Sequence, residues 1–198
     1  MATAQGLARF VRLSLFRGAG QCMLFNMNPD QAKTILGYVT QVARTEMATT
    51  AKLLAATPAD HHDYRPSERC MDGGTLLWHI ASAEIALLNG AADGAFDFSR
   101  ARPPGTETPE QVAAWYKEHA GAALERCAAM SGEQAGRMVD FMGIFQQPAY
   151  GYVTMATNHT IHHRGQLSSY LRPMGGKVPA IYGMSADDNP FEKKAAGA

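Results

Sequence analysis

The chain has 198 residues, 46% of them hydrophobic, a length that fits one domain able to bury a core without disulfides or a structural metal. Its 18 Lys and Arg balance 18 Asp and Glu. This removes the broad electrostatic attraction that nucleic-acid binders use, and no stretch approaches the roughly 18–20 apolar residues of a membrane span, so neither partner is expected.

The neutral total hides an asymmetry. Residues 1–29 carry Arg9, Arg12 and Arg17 and no acid, so they hold +3 and the remainder −3. With Leu7, Phe10, Val11, Leu13, Leu15 and Phe16 interleaved, residues 1–28 read as an N-terminal extension or mis-assigned start, or as an amphipathic targeting or docking segment. The cysteines, Cys22, Cys70 and Cys127, are odd in number and form no CxxC. They make neither a disulfide framework nor a thiolate zinc site, and the expected compartment is a reducing cytoplasm.

Asn28-Pro29-Asp30 supplies an N-cap, a first-turn proline and an acid suited to the helix dipole. A helix is expected from there to about Ala56, with Ile35, Val39, Val42, Thr49 and Leu53 along one row and Thr57-Pro58 as the stop. Residues 59–74 lack a period and read as a loop. The second helix is expected over Thr75–Asn89, closed by Gly90, followed by a long crossover from Ala91 to Thr106. Thr108-Pro109-Glu110-Gln111 is a capping box that opens a third helix running to about Met130. Residues 131–150 read as irregular with a short extended piece, and the fourth helix as Ala149–Leu171, stopped by Pro173. The expectation is an all-α four-helix bundle with a long crossover over residues 29–188, and a C-terminal tail at 189–198.

Seven histidines carry the chemistry. His159 and His163 stand at i and i+4, about 40° apart on one helix face, so both can reach a single ion. The same face bears Tyr152, Gln166 and Tyr170, an interior stripe too polar for plain packing. A third ligand must come from another helix, and His79 in the second is the candidate. Three neutral imidazoles suit Zn²⁺, Ni²⁺ or Fe²⁺ and leave positions open for water or substrate. The metalloprotease motif fails because Thr160 stands where its glutamate belongs, and no Glu-x-x-His occurs to build a di-iron bundle. His61 and His62 are expected in solvent, and His119 as a packing or surface histidine. Arg164 is read as a structural partner, with Glu84 as its counter-charge, ahead of a substrate-binding role.

Tyr64-Arg65-Pro66, Leu77-Trp78-His79-Ile80, the run from Asn158 to Gln166, and the closing stretch from Tyr170-Leu171-Arg172-Pro173 to Asp187 together resemble the DinB/YfiT-like superfamily of metal-binding four-helix bundles. That resemblance implies that His79, His159 and His163 are metal ligands and that His162 is an extra histidine outside the ligand set. It also implies a reaction class, since the superfamily includes S-transferases and isomerases using low-molecular-weight thiols and proteins proposed as metal-dependent hydrolases. The expected enzyme uses a divalent metal to activate a thiol or water against a small electrophile, with Tyr152, Gln166 and Tyr170 placing substrate or orienting ligands. The expected assembly is a homodimer. A metal-binding stress-response or dimeric interaction module without turnover is the alternative from another class, and a plain bundle whose histidines merely pack is a third.

Overall fold

The computed structural model describes residues 27–99 and 101–189. The Arg-bearing N-terminal segment up to residue 26, with Cys22, and the tail from residue 190 lie outside the described residues. Helix α1 (Pro29–Ala55) starts where the cap chemistry places it: the Gln31 backbone N–H donates to the Asn28 side chain at 2.9 Å, and the Asn28 N–H donates to the Gln31 side chain at 3.0 Å. Helix α3 (Pro109–Ala128) opens with the same reciprocal pair, Thr108 with Gln111.

Helix α2 (Gly73–Asp93) differs from expectation at both ends. Asp72 caps it, accepting from the Thr75 N–H at 2.8 Å, so it begins two residues before Thr75. It runs past Gly90 and stops at Gly94, whose φ of 82° is the left-handed conformation that glycine reaches without cost. Gly90 answers a different need. A Cβ there would lie 2.1 Å from the ring of Phe96, so the missing side chain lets the crossover fold its aromatic residue back onto the helix.

These contacts predict a contrast between two helical glycines. Gly90→Ala should lower the urea midpoint, because overpacking of about 1–3 kcal/mol outweighs the roughly 1 kcal/mol gained in helix propensity. Gly121→Ala, where no atom lies within 4 Å of the added Cβ, should raise it. Equal shifts of one sign would contradict the packing assigned to Phe96.

The segment after α3 is more ordered than its composition suggested. A single turn of helix, α4 (Gly132–Gly136), leads into strand β1 (Met138–Phe141), which pairs antiparallel with β2 (Phe145–Pro148) from Met138↔Pro148 to Phe141↔Phe145. Met142 and Gly143 take φ of 55° and 73° at its tip. The hairpin delivers the chain directly into helix α5 (Ala149–Leu171), the expected fourth long helix.

Helices α1 and α2 each pack against both α3 and α5, so α1 lies diagonally across the bundle from α2. Leu36, Leu54, Ile80, Leu88, Val112, Leu124, Val153 and Leu167 fill the space between them. The fold is therefore the expected all-α bundle with one small hairpin added. Among the described residues no helix is long and apolar enough to cross a membrane.

Candidate metal centre

The seam between α2 and α5 brings together the three histidines singled out from spacing. His79 Nε2 lies 3.3 Å from His159 Nε2 and 3.2 Å from His163 Nε2, and the candidate ligand atoms of all three fall within 4.8 Å of one another. Imidazole nitrogens about 2.1 Å from one ion stand about 3.4 Å apart on a tetrahedron and about 3.0 Å apart at right angles on an octahedron. The two separations from His79 lie between these values and the third pair stays within 4.8 Å, so the donor set fits a divalent ion shared by the three rings.

Protonation agrees with that geometry. Burial, followed by the neighbouring His163, His79 and His162, pushes His159 down to about 4. Burial and His163 lower His79, and burial lowers His163 more than its bond to Gln166 raises it. All three favour the neutral imidazole that ligates metal. The Gln166 side-chain oxygen sits 2.6 Å from His163 Nδ1 and assigns that nitrogen the proton, leaving the Nε2 lone pair for the centre. His159 Nδ1 is buried without a hydrogen-bond partner. Each of the three residues is half-buried, so the group reaches solvent on one side.

The other polar residues of the α5 stripe separate. Gln166 belongs to the histidine group. Tyr170 lies further along the helix, edge-on to Tyr64 at 5.5 Å and against the Cys70 thiol, whose pKa is lowered by the Ser67 hydroxyl first and by the Tyr170 hydroxyl to a lesser degree. Tyr152 points elsewhere: its hydroxyl donates to the Val139 carbonyl at 2.8 Å, and its ring packs among Phe96, Phe141 and Phe145. It ties the start of α5 to the hairpin, and among the described residues it makes no hydrogen bond or ring contact with a histidine. His162 is exposed, its ring 4.8 Å from that of His163. His119 stacks on Trp115 at the surface. His61 is exposed as expected, whereas His62 is half-buried and bonded to the Pro58 carbonyl at 2.7 Å. Cys127 is buried, and burial pushes its thiol up to about 12.

A second polar layer runs through the core beside the histidines. Arg164, 1% exposed, pairs with Glu46 of α1 and not with Glu84: Nη2 lies 2.5 Å from Glu46 Oε2, and Nη1 donates to the Glu46 carbonyl at 3.1 Å and to Thr50 Oγ1 at 3.2 Å. The Tyr182 hydroxyl completes the cluster by donating to Glu46 Oε2 at 2.7 Å. Glu84 instead accepts from the Tyr116 hydroxyl at 2.5 Å. Its other oxygen faces Thr160 without forming a hydrogen bond. Sequence reading missed this pair, although Leu77, Ile80, Glu84 and Leu88 lie at core spacing in α2 and place a lone carboxylate among apolar neighbours.

Comparison with known proteins finds relatives of the chain and of its fold. An uncharacterised Bacillus subtilis protein, YjoA, is 31% identical over 129 residues, which cover 64% of this chain and 82% of that protein. The crystal structure of YjoA, described as DinB-like, superposes with a TM-score of 0.59 at 26% identity, covering 71% of this chain and 93% of that one. A DinB-like protein from Bacillus cereus has the same fold, with a TM-score of 0.62 at 23% identity over 73% of this chain and 95% of that one. Residues 29–193, from the Asn28-capped start of α1 to beyond Tyr182, match the DinB family as a whole, and the chain belongs to that family.

Proposed function

We propose that this protein is a metal-dependent enzyme of S-transferase or hydrolase type, acting on a small electrophile with a low-molecular-weight thiol or water as nucleophile. The observation that carries this reading is the convergence of three Nε2 atoms, 3.2–3.3 Å apart where they face His79, in a half-buried position open to solvent. A closed structural site would surround its ion with four protein ligands, whereas three histidines leave room for a reactant. When bound there, a divalent ion lowers the pKa of a coordinated thiol or water and orients it for attack.

The chain's own residues prepare that chemistry. Burial keeps the three imidazoles neutral and so available as donors. Gln166 holds the proton on His163 Nδ1 and fixes the ring's orientation. Tyr170 stands two turns along α5 from His163, packed against Tyr64 and Cys70, and in this reading it helps to place the substrate.

Elemental analysis of untagged protein is expected to find about one divalent ion per chain, and His159→Ala should abolish this stoichiometry while the far-ultraviolet circular dichroism is retained. Turnover of a generic electrophile with one of several low-molecular-weight thiols, or its hydrolysis, should then be lost in the same variant. Full metal retention in His159→Ala would remove that residue from the ligand set. Metal-loaded protein inactive with every thiol and with water would leave a binding module in place of an enzyme.

A further inference from the structure

A cavity of about 560 Å³ opens between α1 and α3, on the seam opposite the one that holds the histidines. Ala48, Ala51 and Ala55 of α1 face Ala120, Gly121 and Leu124 of α3 across it, with Tyr116 as a further wall. Its size falls within the range of about 300–1,000 Å³ usual for small-molecule sites.

Its charge has one sign. Among the described residues Arg44, Lys52 and Lys117 line it, and no acid does. Arg44 reaches out to Glu125 at 2.5 Å and Lys52 to Asp188 at 3.2 Å, so these two cations are partly neutralised from outside the cavity. Lys117 has no ion pair or hydrogen bond among the described residues. The space itself depends on Gly121, a helix-interior glycine with nothing within 4 Å of the Cβ it lacks. Unlike Gly90, it is not required by a close neighbour. Apolar walls with cations around them and no acid match a ligand with an apolar body and a negative head.

We propose that the α1–α3 cavity is a second ligand site, separate from the histidine centre, for an organic anion with an apolar body. The probe is 8-anilinonaphthalene-1-sulfonate, titrated by fluorescence against the full chain in parallel with uncharged N-phenyl-1-naphthylamine, the same body without its sulfonate. One saturable site per chain is expected, at least about tenfold tighter for the anion and weakened by salt. Gly121→Leu, which fills the cavity, and Lys117→Glu, which reverses the charge of its cation without a partner among the described residues, should each weaken the anion by about tenfold or more, with His79→Ala unchanged. Ala48→Leu, at an exposed position on the other wall, serves if Gly121→Leu does not fold. Equal affinity for both dyes, indifference to the cavity-filling substitution in a folded variant, or loss of binding in His79→Ala would each overturn the proposal.

Discussion

Arg164→Met is expected to destabilise the bundle by about 3–5 kcal/mol, the cost of stranding one member of a buried ion pair. Methionine matches the aliphatic length of arginine but replaces none of its bonds to the Glu46 carboxylate, the Glu46 carbonyl and Thr50. The loss is large because the Glu46 side chain is itself only 14% exposed, so water cannot take over the guanidinium's place. Urea denaturation in the presence of a chelator measures it without interference from metal linkage. Adding Glu46→Gln should recover part of the stability, since a neutral amide tolerates the vacancy better than a carboxylate does. A loss below about 1 kcal/mol would put the pair in the class of solvated surface bridges.

The second large effect concerns pH. Burial pushes the Glu84 carboxyl up from 4.5 to about 7, against the opposing influence of Tyr116, Thr160 and Arg164. The folded state thus holds the Glu84 proton more tightly than the unfolded chain does. Its stabilising contribution is full below about pH 4.5, declines as pH rises, and is lost once pH passes through about 7. The interval corresponds to about 3 kcal/mol. Glu84→Gln should therefore match the parent chain near pH 4.5 and exceed it in stability by up to about that amount at pH 8, because the amide still accepts from Tyr116 and never ionises. Parallel stability profiles for the two proteins between pH 5 and 8 would show that Glu84 stays ionised throughout.

The helical framework was readable because its signals are local. Asn28 with Pro29, and Thr108 with Pro109 and Gln111, satisfy helix termini within a few residues, and both helices start there. The histidine pair was equally accessible, since one helical turn brings His159 and His163 together whatever surrounds them. His79 could be chosen because an ion shared by that pair needs a donor from another helix. What failed depended on contacts between distant segments. Gly90 has the look of a helix stop, and only the returning Phe96 shows that it serves packing. Arg164 had two acids within the same polar layer to choose from, buried Glu84 and half-buried Glu46, and its partner Glu46 lies 118 residues away on α1. Tyr152 shares a helical stripe with the histidines, yet the hairpin at the start of α5 captures its hydroxyl. The four-residue strands of that hairpin were too short to establish an alternating pattern.

The origin of the three imidazoles on two helices also bears on folding. His79 and His159 are 80 residues apart and meet only when α2 and α5 are docked. An ion that needs both cannot find its full ligand set on the unfolded chain, so every increment of affinity becomes an increment of native-state stability, about 2.7 kcal/mol at a free ion concentration of 100 Kd. The metal supply would then set the melting temperature of the protein as well as the occupancy of its centre, and a chelator titration followed by thermal unfolding would read affinity and fold stability on a single curve.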